Sequence, residues 1–127
     1  MAEQIKLGIK LWDNYRKEYL KWGKIATNKN PYYGFTNESG SYHIGWSATE
    51  YPKRYIMCVS FGQHDKTGVE LFSGDRVLND DNEAGTILFD EKHARLVVKY
   101  GKKFKWVETN TIVKVGDTFH DKGGKAY

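Results

Sequence analysis

Apolar residues recur at every second position over short runs that end in glycine-bearing turns, while runs at helical spacing are scarce; this is the pattern of a mainly β chain folded as a barrel or sandwich. Near the start, Ile5, Leu7, Ile9 and Leu11 alternate with polar or small residues and share one strand face. The next segment reads two ways. Asp13 can cap a helix over residues 14–21 that places Tyr15 and Tyr19 one turn apart, yet Tyr19, Lys21, Gly23 and Ile25 also alternate as a strand. A short helix or turn followed by a strand accommodates both. Residues 28–40 gather Asn28, Asn30, Pro31, Gly34, Asn37, Ser39 and Gly40 around Tyr32-Tyr33, which predicts loops with at most a short strand. Residues 41–46 (Tyr42, Ile44, Trp46) and 55–61 (Tyr55, Met57, Val59, Phe61) read as half-buried strands interrupted by Tyr51-Pro52. In the second half, residues 85–90, 94–100, 103–107 and 111–115 follow one another as strands spaced for an antiparallel meander. No internal repeat and no low-complexity tract is present.

Residues 61–77 carry the clearest local plan. Asp65-Lys66-Thr67-Gly68 is a tight turn in which Gly68 takes a positive φ without a Cβ penalty, and Val69 and Leu71 then point to one face. Ser73-Gly74-Asp75 makes a second turn, its aspartate able to accept main-chain N–H bonds, and Arg76-Val77 begins another strand.

This run resembles the YopX-like family of phage and prophage proteins, whose characteristic stretch is matched here by Gly62, Asp65, Lys66, Gly68, Glu70, Phe72, Gly74, Asp75 and Val77. Ser60 stands where the family has an aromatic residue, with Phe61 beside it, and Leu71 replaces isoleucine. Gly85-Thr86-Ile87-Leu88-Phe89-Asp90, Val115-Gly116-Asp117-Thr118-Phe119 and, at the start, Ile9-Lys10-Leu11-Trp12-Asp13 are similar to further family segments in the same order. Residues 14–60 depart from its pattern. The resemblance implies an all-β fold with an SH3-like barrel or roll in the C-terminal half, a phage or prophage origin, and no reaction. It assigns Gly62, Asp65, Gly68, Gly74, Asp75 and Gly116 as structural corners.

Composition fits one domain of 127 residues, divided as a variable β-rich part (1–60), a barrel-like core (61–121) and a flexible tail (122–127) containing Gly123-Gly124. A content of 39% hydrophobic and 15% aromatic residues with 2 prolines excludes a disordered chain. Without a long apolar run or a signal-like start, a soluble cytoplasmic protein is expected. Charge is unevenly placed: residues 1–64 are net +4, residues 65–91 net −6 and residues 92–127 net +6.

Chemistry-bearing residues are sparse. Cys58 alone excludes an intramolecular disulfide and a multi-cysteine zinc site, and between Met57 and Val59 it reads as a packed thiol. His43, His64, His93 and His120 show no metal-ligand spacing, and Asp80-Asp81-Asn82-Glu83 reads as a solvated hairpin turn. Neither a metal nor a cofactor is expected, and no catalytic constellation is present. The strongest functional feature is Arg95, Lys99, Lys102, Lys103 and Lys105 interleaved with Tyr100, Phe104 and Trp106, a composition that can neutralise phosphates and stack bases, meet an acidic protein partner, or serve only as a solubilising lysine face. Strand alternation opposes it: Lys103 and Lys105 share one face and Phe104 and Trp106 the other, so the rings are expected to pack inward. The chain is therefore expected to be a non-enzymatic protein-interaction module, with nucleic-acid binding through residues 95–105 as the alternative. Open sheet edges could support oligomers.

Overall fold

Alternation becomes strand almost throughout the described residues, 8–25 and 32–121, of the computed structural model. The expected positions of Ile5 and Leu7, residues 28–31 of the predicted loop and the tail at 122–127 lie outside the described residues. The elements are β1 (Gly8–Asp13), β2 (Glu18–Ile25), β3 (Tyr32–Thr36), β4 (His43–Ile44), β5 (Tyr55–Ser60), β6 (Asp75–Asn79), β7 (Ala84–Asp90), β8 (Arg95–Tyr100), β9 (Lys103–Trp106), β10 (Ile112–Asp117) and the short helix α1 (Thr118–Asp121). The chain is mainly β, in two antiparallel sheets ordered β4-β3-β2-β1-β5 and β10-β6-β7-β8-β9. Its described residues divide into two compact units, one within Ile9–Cys58 and the other made of residues 59–121 with Gly8.

In the Ile9–Cys58 unit the two readings of residues 14–21 resolve into a turn and then a strand. Asp13 does cap, but its Oδ1 accepts the main-chain N–H groups of Tyr15 (2.9 Å) and Arg16 (3.2 Å), and Lys17 takes a φ of 56°. That left-handed residue ends any helical course and turns the chain into β2. The register pairs Leu11 with Leu20, Trp22 with Phe35, and Phe35 with Ile44, setting these side chains on one face. Leu11, Leu20 and Phe35 are fully buried there with Ala48 and Tyr55. On the opposite face Trp12 is buried edge-on to Tyr19, ring centroids 5.0 Å apart. β3 thus turns out to be a strand paired on both sides, and Trp46 leaves the predicted strand for a 3-10 turn over Trp46–Glu50.

From Val59 onward, three of the four strands predicted as a meander follow one another as β7-β8-β9, but the fourth, β10, does not continue from β9: it crosses back to pair with β6, which itself pairs with β7. Leu71, Val77, Ile87, Leu96, Val98 and Ile112 form the core, with Val59, Phe61, Tyr100 and Val107 against it. Two buried aspartates hold the corners. Asp65 Oδ1 accepts from Thr67 N (2.8 Å), Thr67 Oγ1 (2.7 Å) and Val69 N (2.9 Å), while its Oδ2 accepts from Lys114 N in β10 (2.8 Å). Asp75 accepts from Phe72 N at 2.8 Å and faces the Lys114 ammonium at 3.3 Å. One residue of β10 therefore bridges both corners, by its amide and by its side chain. Burial raises the Asp65 carboxyl, but the donors of Lys114, Thr67 and Val69 outweigh it and bring the pKa from an ordinary 3.8 to about 2.

Because the Asp65 pKa is depressed on folding, its contribution to stability is complete above the ordinary carboxylate range and disappears as pH falls toward 2; it amounts to about 2 kcal/mol. Urea melts between pH 7 and pH 2.5 should show the stability gap between the wild type and Asp65→Asn narrowing by about 1.5 kcal/mol, the rest being lost only below the folded pKa. A gap independent of pH refutes the assignment. Gly40 and Gly74 both have positive φ, 76° and 96°, but only at Gly74 does an added Cβ meet an obstacle, the Phe119 ring at 2.7 Å. Gly40→Ala should cost about 1 kcal/mol and Gly74→Ala at least about twice that in thermal melts.

Candidate functional site

The residues assigned as corners occupy bends. Gly62 and Gly68 have φ of 79° and 93°, and Gly116 follows the register shift that separates Lys114 from Gly116 in the β10–β6 ladder. Ser73 N donates to Val59 O, Gly74 N to Ile87 O, and Thr118 N to Gly74 O, so this corner joins three segments besides its own. These residues position the sheet and present no exposed chemistry.

The basic run is arranged differently from its expectation. Phe104 and Trp106 do not pack inward: they are 60% and 56% exposed, and every residue of β9 is exposed. The reason lies in the register. Lys99 pairs with Phe104 and Val97 with Trp106, which places the rings on the face of Arg95, Val97 and Lys99, opposite the buried Leu96 and Val98. Arg95 and Lys99 therefore share the ring face, whereas Lys103 and Lys105 point the other way and Lys102 sits in the β8–β9 turn. The Arg95 guanidinium lies over the Trp106 ring and 4.0 Å from Asp90, and the Lys99 ammonium is 5.8 Å from the Phe104 centroid. Leu88, Val97 and Phe104 line a shallow groove of about 600 Å³ on this face, closed at one end by Asp90, Glu91 and Lys92.

A second exposed set lies in the Ile9–Cys58 unit, where alternation along β2 and β3 continues the core face outward. Trp22 contacts Phe35 (4.8 Å), Trp46 (5.6 Å) and Tyr33 (6.2 Å) through its ring. Phe35 is buried, but Trp46 is 52% and Tyr33 62% exposed, with Trp22 between these limits at 38%. Lys24, two residues from Trp22 on the same face and paired with Tyr33, is exposed beside them. Alternation could mark Trp22, but Trp46 joins it through the 3-10 turn, which periodicity did not indicate.

The same unit holds a cleft of about 630 Å³ lined by Tyr15, Glu50, Tyr51, Pro52, Lys53, Arg54 and Tyr55. Among these, Arg54 donates through Nε and Nη2 to the two oxygens of fully buried Asp13 (3.2 and 3.3 Å) and through Nη2 to Tyr42 Oη (3.1 Å). Its guanidinium carbon lies 4.7 Å from the Tyr15 ring centroid and 4.8 Å from that of Tyr55. Asp13, chiefly by hydrogen bonding, holds Arg54 above its ordinary pKa. Burial, reinforced by the Tyr42 hydroxyl at 2.6 Å, pushes Tyr55 up to about 12. None of these seven lining residues stands out in the sequence as a binding residue; Asp13 and Arg54 lie 41 positions apart, and no local pattern links them.

The four histidines each have a defined neighbour. His93 Nδ1 and His120 Nδ1 each lie 2.8 Å from an aspartate three residues earlier, Asp90 and Asp117, and hydrogen bonding to His93 lowers the Asp90 pKa. His43 pairs with Tyr32, and His64 forms a strand bridge with Glu70. Cys58 is buried. In the acidic hairpin, Asn79 Oδ1 accepts from Asp81 N and Glu83 N, so the side chain of Asn79 organises the turn. No helix among the described residues is long and apolar enough to cross a membrane.

Compared with known proteins, residues 10–124 match the family model described as YopX protein. The crystal structure of protein EF1440 from Enterococcus faecalis is similar in fold, with a TM-score of 0.62 at 15% identity over 94% of this chain and 97% of that one. No curated protein matches the chain.

Exposure on the ring face makes a distinct prediction for stability. Phe104→Ala and Trp106→Ala should each cost less than about 1 kcal/mol, whereas Trp12→Ala, which empties a buried site, should cost about 3 kcal/mol or more in urea melts. Equal losses at Trp12 and Trp106 would mean that β9 is covered by other parts of the fold.

Proposed function

The chain belongs to the YopX family, and from that premise we propose that it is a small phage-derived binding module of the bacterial cytoplasm, without a reaction of its own, that acts by contact with a protein. The observation that carries this reading is the exposed Trp22–Tyr33–Trp46 cluster standing on buried Phe35. Tryptophan and tyrosine supply large contact area at little entropic cost, and such rings on a rigid sheet are the usual anchors of protein interfaces. Lys24 beside them provides a charged margin of the kind that orients a partner. The scattered histidine–aspartate pairs lack an oriented nucleophile and give no support to an enzymatic alternative.

Nucleic-acid binding remains the second reading because Lys99 and Arg95 share the face of Phe104 and Trp106, which removes the geometric objection that strand alternation alone raises. Two observations weigh against it. Arg95 is already engaged by Trp106 and Asp90, and residues 59–121 carry 9 basic against 11 acidic side chains. A backbone-tracking groove needs a net positive field.

Tagged wild-type protein and a Trp22→Ala/Trp46→Ala variant, each incubated with host extract, test the leading reading. A stoichiometric protein partner should be retained by the wild type at both ~0.15 and ~0.5 M salt and lost by the variant, since contacts made by buried rings are weakly screened. The second reading expects binding to a single-stranded oligonucleotide that falls steeply over the same salt range and is reduced by Lys99→Ala. Retention of the same partners by the variant sinks the aromatic-cluster reading.

A further inference from the structure

The Arg54 cleft is separate from the Trp22 cluster, and its chemistry is independent of the protein-partner reading. A buried ion pair would by itself explain why Arg54 meets Asp13, but not why the same arginine lines an open cleft and stays partly exposed. Asp13 takes Nε and one Nη2 hydrogen, and Tyr42 takes Nη2 as well. Nη1 then has no partner among the described residues, and the Arg54 side chain keeps 32% of its surface exposed. A guanidinium has five N–H donors in a fixed plane, so fixing one edge determines where the remaining donors point. Asp13 is held in turn by the amides of Tyr15 and Arg16, so the donor is preorganised down to the main chain.

The walls fit the same purpose. Tyr15 and Tyr51 are 75% and 63% exposed, and with Pro52 and Tyr55 they offer flat apolar surface around the charge. Lys53 adds a second cation on a flexible stem. Glu50 is the only acidic lining group, because Asp13 is fully buried behind the guanidinium. The exposed charges of the cleft are thus two cations against one carboxylate. A simple anion would gain little here, since Asp13 offsets much of the Arg54 field; a ligand needs the rings as well as the donors.

We propose that this cleft binds a carboxylate carried on a flat apolar body. Two sources have that chemistry, a small aromatic acid and a peptide chain end whose last side chain is apolar. In both, one carboxylate oxygen accepts from Arg54 Nη1, the Lys53 ammonium approaches the other, and the apolar body lies against the tyrosines.

The test is an NMR titration of the full chain with benzoate, N-acetylphenylalanine, benzamidinium, N-acetylphenylalanine amide and acetate, following the Tyr15, Tyr51 and Arg54 signals. Benzoate or N-acetylphenylalanine should shift them saturably with a Kd on the order of 1 mM. The amide, benzamidinium and acetate should bind at least about tenfold more weakly, because each lacks the charge, reverses it or lacks the ring. The tighter of the two acids identifies the source, and either order supports the proposal. Tyr51→Ala and Lys53→Ala alter exposed side chains and leave Asp13–Arg54 in place, so folding is preserved; each should weaken the preferred acid at least about threefold. Equal binding of the acid and its amide, equal binding of benzamidinium, or no saturable shift up to about 20 mM overturns the assignment.

Discussion

A buried carboxylate is tolerated only when the protein supplies the hydrogen bonds that water would have made, and in this chain the main chain supplies most of them. Asp13, Asp65 and Asp75 are all buried, and each accepts amides of a neighbouring connection. The charge cannot leave water unless the turn adopts the one conformation that aims its N–H groups inward. Conversely, the turn cannot open without exposing several donors and stranding the anion. Lys114 extends this reciprocity from local to tertiary structure, because its amide serves Asp65 and its ammonium faces Asp75. The corners consequently act as fixed points from which the strands of the second sheet are hung.

The exposed aromatic residues stand apart from that carboxylate scaffold. Trp46, Tyr33, Phe104 and Trp106 project from strands or a 3-10 turn whose geometry is set by buried neighbours. Tyr33 and Trp46 meet Trp22, Trp46 also stacks on buried Phe35, and Phe104 and Trp106 each meet a cation. Arg54 is the instructive intermediate. It stabilises Asp13 on one edge and faces an open cleft on the other, so a single side chain joins the supporting network to the surface.

Local chemistry was legible where the relevant partners are close in sequence. Gly68 three residues after Asp65, Gly74 before Asp75 and the alternation in residues 85–100 each specify a bend or a face without outside help. The fate of Phe104 and Trp106 was not legible. Alternation correctly separates the rings from Lys103 and Lys105, but which side is buried depends on pairing with β8, where Leu96 and Val98 occupy the core face. Asp13 was readable as a cap, but its meeting with Arg54, 41 positions on, depends on the tertiary fold. The helical alternative for residues 14–21 gave way to the turn because Lys17 takes a positive φ, which the local pattern does not reveal.

The order of the first sheet has a consequence for how such a chain can change. β1 and β5 are adjacent strands, although the long excursion through β2, β3 and β4 separates them in sequence. An excursion that departs and returns through neighbouring strands closes over the same short gap whatever its length, and the entropy of closure grows only logarithmically with the number of residues enclosed. Segments of other lengths and surfaces can therefore be exchanged at this doorway with little penalty to the sheet that frames it, and residues 14–54 are the part that lies between the two doorposts.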